Sequence, residues 1–95
     1  MADINVDQTG ETENALQFDV DVTEAGSSSR HVVTLQREDA ESLGDRFPSP
    51  EDFVRRCFEF LLERERKESI LGRFDVRDIG TYFPEFDRDL LHPGA

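Results

Sequence analysis

The sequence predicts an α+β domain. An antiparallel β-hairpin is followed by a short helix, a long amphipathic helix, and short C-terminal helices that wrap the long one. Three observations support this prediction. Apolar and polar residues alternate over 16–23, the two-residue period of a strand with one buried face. A second strand-like run at 30–35 follows a polar turn. A helix-start signal at Ser49 and Pro50 then opens a segment with apolar residues at helical spacing.

The hairpin is predicted from two strands joined by the Ala-Gly-Ser-Ser-Ser turn at 25–29. In the first strand, apolar side chains point to one face and polar ones to the other, where Asp19 and Asp21 could lie near Arg30. A two-stranded hairpin is rarely stable alone and leaves two open edges. We therefore expect two copies to pair through their sheet edges, which makes a homodimer the predicted assembly.

The two central helices are predicted from their end signals. A short helix over 37–43 precedes Gly44, which suits the positive φ common after a helix C-terminus. Pro50 begins the long helix, with Ser49 as its cap and Asp52 completing a capping-box variant, and it is predicted to run to about Glu68. Its apolar side chains cover about 200° of the helical wheel, so we expect it to be covered on two sides.

The C-terminal part is predicted to be short and interrupted. Asp75 can cap a brief helix that carries Ile79 and Tyr82, and Pro84 opens a last turn. Most of the phenylalanines lie in the C-terminal half, which is expected to supply most of the core. The predicted boundaries are a disordered acidic tail at 1–14, poor in large apolar residues, a single α+β domain at 15–91, and a loose C-terminus at 92–95.

The charge is uneven along the chain. The net charge is −11, with seven acidic and no basic residues over 1–29. Lys67 is the only lysine, beside ten arginines. Abundant acid with scarce lysine suits a halophilic protein, because molar salt screens repulsion between carboxylates. A GC-rich genome that favours arginine codons explains the same bias, and the sequence leaves both explanations open.

Several function classes have no support in the sequence. One cysteine permits no internal disulfide, and no signal peptide or membrane helix is predicted, so a cytoplasmic location is expected. Cys57 falls within the apolar arc of the long helix and is interpreted as a packing residue. Asp19 and Asp21 are interpreted as a solvated face. We predict no catalytic residue, no metal site and no cofactor, and therefore no enzyme.

Aromatic side chains near the C-terminus are the candidate interaction surface. Tyr82, Phe83 and Phe86 could form a docking patch for another protein. Aromatic residues at this spacing are also typical of a core, and both interpretations stay open.

Two resemblances follow from these residues. The segment from Ser49 through Phe86, with the block Tyr82-Phe83-Pro84-Glu85 as its most specific element, resembles a family of small prokaryotic proteins of unassigned function. That resemblance implies one domain and no particular activity. The order strand, short helix, Gly44 turn and longer helix partly resembles ribbon-helix-helix regulators, whose paired strands enter the DNA major groove. This second resemblance implies base contacts by Arg30, Val32, Thr34 and Gln36.

The sequence therefore predicts a small acidic protein that acts as a non-enzymatic interaction or accessory module, with itself and an unidentified protein as partners. The alternative is a dimeric DNA-binding regulator or antitoxin-type protein. That alternative fits poorly with Asp19 and Asp21, which would face the phosphates.

Overall fold

A computed structural model describes residues 2–93 and confirms the α+β class. The four strands belong to one sheet, and the helices lie between the third and fourth strands and after the fourth. In chain order the strands and α-helices are β1 (Asp3–Glu11), β2 (Ala15–Glu24), β3 (Ser27–Gln36), α1 (Arg37–Leu43), α2 (Pro50–Leu62), β4 (Arg73–Asp75) and α3 (Val76–Tyr82). A 3-10 turn at Lys67–Ser69 precedes β4, and a π-helical turn at Asp87–Leu91 follows α3.

The sheet has the strand order β1-β2-β3-β4. β2 is antiparallel to both β1 and β3, and β4 is parallel to β3. The β2–β3 hairpin closes through Ala25 and Gly26, both with positive φ, at 53° and 81°. Two such residues form the tight turn that matches the twist of paired strands. The turn is therefore shorter than predicted, since residues 27–29 continue the strand.

The prediction of a disordered tail over 1–14 is wrong for residues 3–11, which form β1 along β2. Val6 joins the core with 8% of its surface exposed, and Ile4 packs against it half-buried. The segment has few apolar groups, but its backbone pairs with β2 along its length except at one bulge. Those backbone hydrogen bonds, which depend little on side chains, offset the low apolar content. A bulge between Gln8 and Gly10 shifts the register.

The sheet of one chain already has four strands. The hairpin does not need a second copy to complete a four-stranded sheet, because β1 and β4 flank it within the chain. The remaining edges are β1, which carries Asp3, Asp7 and Glu11, the three-residue β4, and the part of β3 outside residues 32–34. Charged or very short edge strands oppose pairing with another copy.

The two central helices begin where predicted. α1 occupies the predicted 37–43, and Gly44 after it has φ of +58°. Ser49 accepts a hydrogen bond from the amide of Asp52 at the start of α2. α2 ends at Leu62 and not near Glu68. The residues that follow Leu62 are charged, so continuing the helix would bury no further apolar surface.

The core lies between one face of the sheet and the helices. Phe18, Val20 and Val22 of β2 point into it and are fully buried. α2 contacts this core on two sides. Its Phe58 ring lies 5.3 Å from the His31 ring, and its Phe60 ring lies 5.2 Å from that of Phe86 in the C-terminal segment.

Hydrogen bonds from Arg46 also hold the C-terminal segment. The guanidinium of Arg46 donates to the carbonyl oxygens of Leu90 and Leu91, at 2.9 and 3.0 Å. Of the C-terminus predicted to be loose, His92 lies 2.9 Å from Asp87, and Gly94 and Ala95 lie outside the described residues, as does Met1 at the other end.

Candidate protein-docking cleft

Two large apolar side chains stand out on the surface of residues 2–93. Leu71 is 48% exposed and Tyr82 is 65% exposed. They belong to different elements, yet both line the same cleft. Exposed apolar groups that cluster are more informative than scattered ones, because clusters mark contact surfaces. We call this feature the Tyr82 cleft.

The Tyr82 cleft has an apolar floor. It lies between the C-terminal end of α2, the segment before β4, and α3. It encloses about 280 Å³ when the open solvent at its mouth is included, so it is a shallow cleft and not an enclosed cavity. Its lining residues are Leu61, Glu65, Ile70, Leu71, Phe74, Asp78, Ile79, Tyr82 and Phe83.

The wall that carries Leu71 is fixed by hydrogen bonds. The carbonyl oxygen of Leu71 lies 2.7 Å from Nδ1 of His31. The His31 side chain is buried, with 2% of the residue exposed. The next carbonyl, of Gly72, accepts from the amide of Val32 at 2.8 Å. On the other side, the amide of Ile70 donates to the carbonyl of Lys67. The Leu71 side chain is thus exposed on an anchored backbone, which reduces the entropy lost on binding a partner.

The opposite wall is helix α3, whose start is set by its sequence. The carboxylate of Asp75 accepts from the amide of Arg77 at 2.8 Å, and that of Asp78 accepts from the amide of Asp75 at 3.0 Å. This reciprocal capping box fixes the helix start. At the other end, the Phe83 amide donates to the Ile79 carbonyl, so Tyr82 lies on the last turn of the helix.

The charge of the cleft comes from two carboxylates. Glu65 and Asp78 line it, and no basic side chain is among the described lining residues. Glu65 forms no ion pair within residues 2–93. Its neighbour Arg64 is bound to Glu85 at 3.1 Å and lies over the Phe60 ring at 3.5 Å. The cleft therefore combines an apolar floor with negative charge.

The three aromatic residues proposed from sequence have three different environments. Tyr82 is exposed at the cleft, and its hydroxyl has no hydrogen-bond partner within the described residues. Phe83 is half-buried, lines the cleft, and packs edge-on against Phe60 at 6.2 Å. Phe86 is fully buried, so it belongs to the core and cannot contribute to a docking surface.

Sequence reasoning missed most of the cleft. Leu71, Ile70 and Glu65 lie in or beside a segment without periodicity, and only the fold brings them near α3. One signal was present in the sequence. Ile70 and Leu71 are consecutive apolar residues before Gly72. Consecutive side chains of an extended segment point to opposite sides, so one of these two is expected to face solvent.

Cys57 has the environment predicted for a packing residue. It is 1% exposed within the core, and burial raises the pKa of its thiol because the thiolate would lose its hydration. This environment does not favour a nucleophile. His31, the one buried histidine of residues 2–93, has both ring nitrogens engaged, by Leu71 and by Ser29 at 2.8 Å.

The aspartates of the open sheet face are partly paired. Asp21 binds Arg30 at 2.7 Å, and this hydrogen bond raises the pKa of the guanidinium. Asp19 lies opposite Asp7 of β1. In the part of the chain that the structure describes, no group of three or more His, Cys, Asp or Glu side chains is arranged to hold a metal ion.

A polar depression between α1 and α3 also brings reactive residue types together. It is lined by Asp39, Ser42, Arg77 and His92, among others. Arg77 is bound by the buried Asp39 at 2.7 and 3.1 Å, and this hydrogen bond raises the pKa of Arg77. The Ser42 hydroxyl donates to the Asp39 carbonyl at 2.8 Å and is thus engaged with the backbone. We interpret these contacts as a tie between the two helices.

The residues implied as base readers lie on an interior strand. Arg30 is paired with Asp21, and Gln36 donates to Asp75 at 2.6 Å. β4 pairs with residues 32–34 of β3, so this central part of the strand is not free to pair with β3 of a second copy. A ribbon-helix-helix dimer requires that pairing.

Comparison of the chain with protein-family models, with curated proteins and with solved structures finds no match. The resemblance to small prokaryotic proteins therefore stays a prediction from the residues quoted above. Over residues 2–93, the helices are too short or too polar for any of them to cross a membrane.

Proposed function

We propose that this chain is a non-enzymatic protein-interaction module whose docking site is the Tyr82 cleft. The observation that carries the proposal is the convergence of Leu71 and Tyr82, the two exposed large apolar side chains of residues 2–93, on one cleft. Tyrosine is enriched among the residues that dominate binding energies, because it buries a large surface with few rotatable bonds.

The size of the cleft supports a protein partner. Its volume of about 280 Å³ includes the open solvent at its mouth, and such a shallow apolar surface suits contact with a protein side chain better than enclosure of a cofactor. The anchored backbone at Leu71 and the capped helix α3 supply a preformed site, which is common in protein recognition.

Site-specific photocrosslinking in the cells that naturally express the chain tests this proposal. A photoreactive residue at position 82 should give a discrete covalent adduct with another protein. The matched control is position 17 on the open sheet face, where Gln17 is also exposed to solvent. The position-82 adduct should disappear when Leu71→Ser is added.

Two results would count against the proposal. One is the absence of any adduct from position 82. The other is the same set of adducts from positions 82 and 17, because it would show that the cleft has no preference as a contact surface.

A further inference from the structure

We infer that the segment bound by the Tyr82 cleft is cationic, with one apolar anchor side chain flanked by Lys or Arg. This inference rests on the proposed function and adds the chemistry of the partner. It is carried by the two carboxylates of an otherwise apolar cleft.

The first step concerns the carboxylate of Glu65. It lies just beyond the end of α2, lines the cleft, and forms no ion pair with any residue of 2–93. Of the two bases adjacent to it in sequence, Arg64 is bound to Glu85, and Arg66 forms no ion pair with Glu65 within residues 2–93. An unneutralised carboxylate beside apolar surface would be partly desolvated by a neutral partner, whereas a cationic partner offsets that loss.

The second step concerns Asp78 on the facing helix. One of its carboxylate oxygens accepts from the Asp75 amide, which leaves the other oxygen available to a partner. Glu65, from the segment after α2, and Asp78, from α3, therefore line the same apolar floor. A segment with basic residues next to its anchor would meet two carboxylates that line the same cleft.

A second copy of this chain is a poor occupant by the same reasoning. Its exposed large apolar groups within residues 2–93 are Leu71 and Tyr82 themselves, so docking would have to be two-fold and isologous. That arrangement brings the Glu65 and Asp78 carboxylates of both copies into one interface. The net charge of −11 on each copy adds further repulsion.

Selection from a displayed random peptide library tests the inference without assuming a sequence. The chain is the bait, and the Leu71→Ser/Tyr82→Ser double variant removes peptides that bind elsewhere. The expected consensus is a Leu, Ile or Phe anchor with Lys or Arg within a few residues. A synthetic consensus peptide is then compared with its Arg→Gln and anchor→Ser forms by fluorescence anisotropy.

Charge variants of the chain give the quantitative test. Glu65→Gln should weaken binding of the basic peptide about two- to fivefold, the range of a solvent-accessible ion pair, and Glu65→Arg should weaken it further. Glu41→Gln, which removes an exposed carboxylate on α1, is the control and should leave affinity unchanged. The difference in affinity between the basic and the neutral peptide should decrease as the salt concentration is raised.

The outcomes separate the two proposals. Selection of uncharged or acidic peptides that still require Leu71 and Tyr82 would overturn the cationic inference and leave the docking site intact. Failure to enrich any peptide that depends on these two residues would remove both. Self-association abolished by Tyr82→Ser would show that a second copy fills the cleft, which also overturns the inference.

Discussion

His31 Nδ1 lies 2.7 Å from the carbonyl oxygen of Leu71, a residue 40 positions further along the chain. The imidazole is almost fully buried in β3, while the leucine side chain that it supports is half exposed at the cleft. The interior of the domain thus fixes the backbone from which a surface residue projects. A buried histidine that could be read as a catalytic group serves here as a positioning residue.

Replacing this histidine should destabilise the protein. His31→Ala leaves the Leu71 carbonyl without its donor and opens space beside Phe58, so we expect a loss of about 1–3 kcal/mol in the free energy of unfolding. Urea denaturation measures it. His92→Ala is the control, because that ring is exposed near the C-terminus, and its effect should stay within about 0.5 kcal/mol. Equal effects of the two substitutions would contradict the role of His31.

Removing one charge of a like-charge pair on the open sheet face should stabilise the protein. Asp19 lies directly across from Asp7, and like charges at such positions repel. Asp19→Asn should therefore stabilise the fold by about 0.2–1 kcal/mol at low salt. The gain should vanish near 1 M salt, where the screening length falls to about 3 Å.

Asp21→Asn is the matched control, two residues away on the same strand and face. Asp21 is paired with Arg30, so its replacement should be neutral or destabilising. Thermal or urea unfolding over a salt series distinguishes the two variants. A stabilising effect of both would indicate general repulsion over the whole face and not the specific pair.

The two aromatic positions that the sequence grouped together should respond differently to truncation. Phe86→Ala should cost about 3–5 kcal/mol, because its fully buried ring packs against Phe60. Tyr82→Ala should change the free energy of unfolding by less than about 0.5 kcal/mol, because the side chain is mostly exposed. Chemical denaturation measures both, and a large loss from Tyr82→Ala would assign it to the core.

The only lysine gives a prediction about pH. Nζ of Lys67 bonds to Ser27 at 2.6 Å and to Glu68, and the bond to Glu68 lowers the pKa of that carboxyl group below its ordinary value. In Lys67→Met we expect the Glu68 pKa to rise toward the usual value of about 4.3, measured by side-chain NMR titration. Glu85 is the control, because its own backbone amide and Arg64 lower its pKa, so it should not shift.

The sign of the linked stability follows from the direction of that shift. Because the folded-state pKa of Glu68 is below the unfolded-state value, the ionised carboxylate stabilises the fold above the unfolded-state pKa. That contribution is lost as the pH falls through the folded-state pKa. Lys67→Met should therefore flatten the acid side of the stability curve, and an unchanged acid limb would contradict the coupling.

Local signals in the sequence identified several elements well. The start of α2 at Pro50 follows from the side-chain cap of Ser49, and the end of α1 follows from the positive φ of Gly44. These features depend on neighbouring residues alone, so they can be predicted from the sequence without the tertiary structure. The alternation in β2 likewise identified its buried face.

Elements that are stabilised mainly by residues distant in the chain were not predicted from the sequence. β1 has weak apolar content and exists because β2 provides its hydrogen bonds. β4 has three residues, too few for a pattern, and is specified by pairing with β3. The end of α2 was also misplaced, because helix propensity continues past Leu62 while burial does not.

The sequence by itself determined the α+β class, the capped helices and the buried environment of Cys57, because periodicity and caps act over a few residues. The tertiary structure alone decided which apolar side chains are exposed next to each other on the surface. Leu71 and Tyr82 are brought to one cleft by the parallel pairing of β4 with β3 and by the His31 hydrogen bond, which link residues far apart in the chain. Such a surface depends on long-range packing, so no local pattern in the sequence specifies it.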